Sequence, residues 1–546
     1  MLAVAGLVVS VLAVVPPAPA SAQPADVVGE SSCQQVLSAD NGWGMTRAEL
    51  QAGSVTILGR TAPVAAATFS LRTAPFNDAA RRLWWHSGYW LVPAFYPLVD
   101  PTDTAGVNLR SSLLSGLLRA LDANPDPGAA GRTPAALAPS NATGWDEGTN
   151  MRREQVLNCL LWATGFDSRI TRHLNAAVRA NLDMNRYDGP PYRAVSNHAT
   201  LANFTLIDTA DLLGQPSWSD IATRRLYAEI DGVFSPAGFS LEQSTSYLDM
   251  NVSLWRRTLD MLEDRPHPID LRPARATLAQ AGLMEQYLTT PQGSMVRIGD
   301  GDPVRPWPVV PHRFLGVLDR AGGVAANRWS WTDPRTSFYA VRFGLSQRAH
   351  GHDDHGSLLY STLGVPVLVH PGTFLYSTKQ MWGCTGGTSL ACYARGPLGA
   401  NVAYPTKGGV LARLATSSLT SLTRAGAVDT IRLVDRQFTT PIARSVRVDD
   451  RQHTLAVTDT ATVSLSQRFH LDPAWTYTGR TNRSVSFRDG ERRLTVALAT
   501  PGAVNVFRGS YRSLAGWYFP SYGVMATSYE VVTSGGRTMT AIITVR

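Results

Sequence analysis

The sequence predicts an α+β chain of more than one domain, a helical half followed by an antiparallel β half. Three observations carry this. At 546 residues the chain is too long for one compact core and divides into two or three domains. From about 45 to 290, apolar residues recur at helical spacing between short polar breaks. From about 293 to Arg546, segments such as FYAVRFG, TIRLVDRQF and RLTVALAT alternate apolar and polar residues between Gly, Asn, Asp and Pro turns. The expected division is a leader over 1–22, a helical domain over 23–290 and packed antiparallel sheets over 291–546. A hydrophobic content of 44% with 17% charged residues describes a folded chain.

The leader, MLAVAGLVVSVLAVVPPAPASA, is an apolar run ending in the small residues Ala20-Ser21-Ala22. Pro16, Pro17 and Pro19 cut it too short to span a bilayer, so a cleaved export signal and a secreted, extracellular or periplasmic protein are expected. No later segment is apolar enough to cross a membrane, and no membrane partner is expected. Export makes disulfides available. Cys384 and Cys392 bracket a Gly-rich loop and are expected to pair; Cys33 with Cys159 would tie the N-terminal arm to a helix.

Helices are expected near 106–124, 152–165, 168–184, 198–214, 217–232, 244–263 and 272–289, joined by short loops as helical hairpins stacked in an arc. Three segments here carry chemistry. SNHATLANFTL puts Asn197 and His198 at a helix start, where free N–H groups suit a carboxylate, although Asn197 also suits a plain N-cap. FSLEQSTSYLDMN offers Glu242, Gln243 and, in the first turn of the next helix, Tyr247, which would otherwise be a buried anchor. WDEGTNMRR combines Trp145, Glu147, Arg152 and Arg153, the lining of a sugar cleft or an ordinary capped helix start.

In the β half, RAHGHDDHGSLLYSTLGVPVLVHPGTFLYS holds His350, His352, His355 and His370, four of 11 histidines, with Asp353 and Asp354. Strand alternation sends His350 and His352 to one face, where they could share a metal or divide metal binding and acid–base work. Further on, Phe507, Tyr511, Trp517, Tyr518, Phe519 and Tyr522 cluster as core or as a sugar-binding edge. The net charge is +8 without a Lys/Arg run, which argues against nucleic acid and fits an acidic substrate.

The block His350-Gly351-His352-Asp353-Asp354, then Gly364 to Val369, then His370-Pro371-Gly372-Thr373, resembles the central motif of the heparinase II/III-like polysaccharide lyases. With Asn197-His198 and Glu242-x-Ser244-x-x-Tyr247 before it, the resemblance covers most of the chain. It implies an (α/α) incomplete toroid followed by an antiparallel β-sandwich. It also implies a secreted lyase that cleaves a uronic-acid polysaccharide by β-elimination, leaving a 4,5-unsaturated uronate. The polymer would be a glycosaminoglycan such as heparan sulfate, or alginate or glucuronan. The implied catalytic set is Asn197, His198, Tyr247 and His350. Trp145, Glu147, Arg152, Arg153, Glu242, Gln243 and Tyr376 would contact substrate; Tyr376 lies two residues beyond the family's turn tyrosine, where Phe374 stands. No cofactor is required for the chemistry. The family's turn aspartate is His370 here, and its metal-binding His-Asn-Thr is Ala400-Asn401-Val402. A structural Zn or Ca would then fall to His352 and His370, with His453 or His470. The alternatives are a non-catalytic protein that binds acidic polysaccharide, or a histidine–metal hydrolase.

Overall fold

The computed structural model describes residues 25–38, 45–126, 144–184, 186–187, 189, 196–265, 269–304, 308–344, 349–375, 389–407 and 416–546. The leader, Tyr376 and Cys384 lie outside the described residues.

The helical half contains α1 (Ala25–Ser38), α2 (Arg47–Gln51), α3 (Ala79–Ser87), α4 (Thr104–Asp122), α5 (Glu147–Ala163), α6 (Ser168–Leu182), α7 (Asn197–Leu213), α8 (Pro216–Val233), α9 (Thr245–Glu263) and α10 (Arg272–Leu288). Side chains fix several starts. Asp103, Asp146 and Ser244 accept from the backbone N–H three residues on, at Gly106, Thr149 and Tyr247. Gly214 ends α7 in the left-handed region at φ 62°. Helix α5 packs on α6, α7 on α8 and α9 on α10, while α5–α7 and α7–α9 contacts carry the stack onward as an incomplete α/α toroid. The short α1, α2 and α3, and a hairpin of Ser54–Ile57 with Arg60–Pro63, escape the periodicity reading.

Helix α5 starts five residues earlier than its apolar pattern suggests. The reason is burial: Thr149, Asn150, Arg152, Arg153, Glu154, Gln155 and Asn158 are all buried, so no polar face marks its course. Glu154 accepts from Asn181 Nδ2 (3.0 Å) and Thr209 Oγ1 (2.9 Å). Burial nevertheless raises its carboxyl from 4.5 to about 7. The folded state therefore holds this proton more tightly than the unfolded chain. Stability is full below about pH 4.5 and is lost as pH rises through about 7. The melting temperature of Glu154→Gln should fall less than that of the wild type over that interval; parallel curves would discount the effect.

Cys33 of α1 and Cys159 of α5 form a disulfide across a sequence separation of 126. Cutting so long a loop, by Cys33→Ser with Cys159→Ser, should lower stability by about 3–5 kcal/mol in denaturant titration. Cys392 is buried, and the expected pair with Cys384 lies outside the described residues.

The β half is built on three antiparallel sheets. A five-stranded sheet runs Gly316–Asp319, Val324–Arg328, Phe338–Arg342, Leu358–Thr362 and Val365–Leu368 in sequence order. Both its faces are covered. Val324, Ala326, Phe338, Ala340 and Leu359 join the core of the later helices. Ala325, Tyr339, Val341, Leu358 and Tyr360 join the sandwich core. The eight-stranded sheet that closes this core has the spatial order Thr476–Arg480, Ser484–Asp489, Arg492–Leu498, Thr538–Val545, Thr454–Thr460, Ile442–Asp449, Val428–Asp435, Ser417–Ala425. A four-stranded sheet orders Gly502–Arg508, Tyr529–Gly535, Leu465–His470 and Ala403–Pro405. The halves are also pinned by the aromatic segment of 517–523. Tyr522 N–H donates to Asp302 (2.7 Å), its hydroxyl bonds Asp78 (3.2 Å), and Arg297 donates to Phe519 O (2.9 Å). Trp517 and Phe519 are buried, so much of that cluster is core.

Candidate active site

The N-terminal ends of α5, α7 and α9 meet the 299–302 turn and the 349–355 segment from the sheet side. Glu242, in the loop before α9, joins them. Its carboxylate accepts from Asn197 N–H (3.0 Å) and Asn251 Nδ2 (2.9 Å), and its second oxygen faces His350 Nε2 at 3.4 Å. His350 N–H in turn donates to Glu242 O at 3.2 Å. One buried carboxylate thus ties the start of α7, the flank of α9 and the histidine of the sheet half.

Tyr247 sits in the first turn of α9, where the Ser244 cap fixes its backbone. Its ring stacks on His350 with centroids 3.4 Å apart and planes 10° off parallel. His350 retains 17% side-chain exposure, whereas Glu242 retains 3%. The Asn197 side chain is buried, and its Oδ1 has no hydrogen-bond partner among the described residues. His198 packs against Gly148, where an added Cβ would lie 2.8 Å from its Cε1; its Nδ1 stands 3.7 Å from Glu147 Oε1. Arg152 donates to Gly148 O (2.7 Å) and lies 5.0 Å over Trp84. Burial lowers its pKa, opposed by the nearby Tyr89 and Tyr247 hydroxyls and the acids Asp146 and Glu147. Arg152 is therefore a buried cation beside Tyr247.

Behind His350 lies Asp300, wholly buried. It faces His350 Nδ1 (3.3 Å), His352 Nε2 (2.8 Å), Arg395 (3.1 Å) and Thr373 Oγ1 (3.4 Å). Burial pushes its carboxyl up, but Arg395 and the two histidines outweigh this and hold it well below the usual carboxylate range. The hydrogens behind it follow from one backbone group. Gly372 N–H donates to His370 Nδ1 (3.0 Å), which leaves the His370 proton on Nε2. That N–H donates to His352 Nδ1 (3.0 Å), which leaves the His352 proton on Nε2, aimed at Asp300. Gly299, at φ 69°, allows the turn: a Cβ there would collide with the Gln243 and His350 carbonyls.

This arrangement corrects the metal expectation. His352 and His370 bond each other directly, and all four ring nitrogens are engaged. Among the described residues no group of three His, Cys, Asp or Glu side chains could hold an ion. His453 bonds Thr362, His355 bonds Ser417, and His470 stands beside Tyr393 and Glu530. Asn401 spends its amide on Leu358 O and Val369 O. The donors thus fit neither Zn nor Ca.

Several other expected contacts are internal. Trp145 is buried, donates to Asn124 O (3.0 Å) and carries Arg153 at 5.0 Å over its ring. Arg153 donates to His86 O. Glu242 and Gln243 are buried, Gln243 in a turn at φ 64°. They shape the site from beneath its surface. Asn197, His198, Tyr247, His350, Glu147 and Arg152 are brought together. Asp300 and Arg395 escape the sequence reading; the signal was Gly299-Asp300-Gly301-Asp302, a tight acidic turn at the boundary between halves.

No protein-family sequence model matches the chain, and no curated protein matches it in sequence. Solved structures do match in fold. A structure of heparinase III aligns with TM-score 0.68 at 14% identity, over 87% of this chain and 79% of that one. A mutant of the heparan sulfate lyase HepC from Pedobacter heparinus aligns with TM-score 0.59 at 12% identity, over 95% of this chain and 88% of that one. A heparinase III with methylated lysines gives TM-score 0.62 at 12% identity, over 94% and 84%.

Proposed function

We infer, from a chain that has the heparinase III fold along nearly its whole length, that this protein is a polysaccharide lyase. It cleaves a uronic-acid polymer by β-elimination, outside the cytoplasm once the leader is removed. The observation that carries the reading is the Tyr247–His350 stack, held by the same carboxylate that binds Asn197.

The chemistry matches these groups. The proton on the carbon beside a uronate carboxylate is poorly acidic while that carboxylate is charged. The site must neutralise the carboxylate and hold the developing aci-carboxylate by hydrogen bonds. The Asn197 side-chain Nδ2, His350 and the Arg152 guanidinium supply that donor set. Tyr247 protonates the leaving oxygen, and it also removes the C5 proton when both groups leave from one face. When they leave from opposite faces the base is His198, with Glu147 behind its Nδ1. The sugar–oxygen bond breaks, a carbon–carbon double bond forms, and no water is consumed.

The test mixes the full-length protein with heparan sulfate, hyaluronan, alginate and glucuronan. A lyase produces near-ultraviolet absorbance from the unsaturated uronate. New reducing ends without that absorbance would assign a hydrolase, and binding without either would assign a carbohydrate-binding protein.

A further inference from the structure

The outer face of the eight-stranded sheet carries a charged row. The registers place Arg488 opposite Arg493, and Arg493 exchanges both backbone hydrogen bonds with Arg546 at 2.9 Å. The adjoining Phe487, Leu494 and Val545 are buried in the sandwich core, so strand alternation turns all three arginines outward, where they are exposed. Neighbouring strands lie about 4.8 Å apart, close to the length of one pyranose unit. Like charges directly opposite each other destabilise a sheet. Three other arginines of this sheet are matched: Arg447 with Asp449, Arg444 with Asp459 and Arg424 with Asp429. Among the described residues no carboxylate stands within ion-pair distance of Arg488, Arg493 or Arg546.

Beside this row runs a second one. Ser486 pairs with Thr495, Thr495 with Thr544 and Thr544 with Thr454, all half-buried and facing outward. The next row is Ser484, Ala497, Ile542 and Ala456. The surface is therefore a line of guanidinium groups flanked by a line of hydroxyls, with no aromatic ring in these rows for bases to stack on. We propose that this face is a second, non-catalytic site for an anionic polysaccharide. Its carboxylates or sulfates lie on Arg488, Arg493 and Arg546, and its ring hydroxyls on the Ser/Thr row. The choice of polymer rests on the lyase reading; the charge geometry does not. The inner face of the same sheet packs into the sandwich core, so this site lies on the opposite, solvent-facing side of the sheet and holds a long chain while the cleft works elsewhere on it.

The test is made in the full-length Tyr247→Phe protein, which keeps long polymer intact. Migration in gels containing glucuronan, heparan sulfate or single-stranded DNA is compared with that of the same protein carrying Arg488→Ser, Arg493→Ser and Arg546→Ser. Affinity for long polysaccharide should fall about tenfold, the sum of three exposed charge contacts. Loss on glucuronan assigns carboxylates, and loss on heparan sulfate alone assigns sulfates. With Tyr247 intact, the triple variant should cleave short oligosaccharides at the wild-type rate. Arg493→Thr alone should melt higher than wild type, because a like-charge pair is relieved. Unchanged polysaccharide binding, no binding by the parent protein, or a loss confined to DNA overturns the proposal. If no absorbance ever develops but binding still falls, the lyase reading fails and this site stands.

Discussion

Tyr247→Phe should reduce turnover roughly a thousandfold, at the scale of a positioned acid–base group, with the melting temperature unchanged. The ring stays, so the stack on His350 and the first turn of α9 stay with it. Only the hydroxyl is removed, and with it the group proposed to protonate the leaving oxygen. The loss should appear in kcat, with KM within a few-fold of wild type, because the donors that grip the uronate are other residues. The rate of absorbance increase on the best polymer measures it. A variant that keeps a tenth of the wild-type rate would remove this phenol from the mechanism and leave His198 as the acid–base group.

Asp300→Asn should damage both rate and stability. The side chain is almost the same shape, but the charge that collects His350, His352 and Arg395 is gone. Arg395 then loses the buried ion pair it makes at 3.1 Å, at a cost of about 3–5 kcal/mol in denaturant titration. The amide also turns a donor toward a ring or a guanidinium, so His350 loses its hold against Tyr247, and kcat should fall about a hundredfold. Fluoride or chloride salts should not restore it, since the position is sealed from solvent. His370→Gln, further back in the chain of hydrogen bonds, serves as the comparison: it should lower stability and leave kcat within about tenfold. Equal rates in Asp300→Asn and wild type would make Asp300 a structural residue only.

The sequence disclosed most where a physical period was sampled often enough. Helices α6, α8, α9 and α10 keep one wet face, and their spans, with that of the largely buried α7, were legible to within a few residues. Helix α5 was not, because Asn150, Arg152, Glu154 and Asn158 lie inside the ring of helices and bond there to α6, α7 and their own backbone. Phe338 to Arg342 was legible as a strand, but its alternation marks no wet face: both of its faces are covered and all five residues are buried. At the site, Asn197, His198, Tyr247 and His350 were legible as residue types in a known order. Their meeting through Glu242 was not, since that contact joins three segments distant in sequence. Asp300 was hidden by its context, a glycine-rich turn that reads as a connector. The metal expectation failed because histidine spacing reports which side chains share a face, not whether a backbone N–H has already oriented them toward each other.

The stack of Tyr247 on His350 also sets when this protein can act. The phenol belongs to the helical half and the imidazole to the sheets that follow, so neither half assembled alone holds the pair. A growing chain passes through a long stage in which its first domain is complete yet inert. On the proposed reading, competence waits for the sheet half and so comes later than the fold of the helical domain.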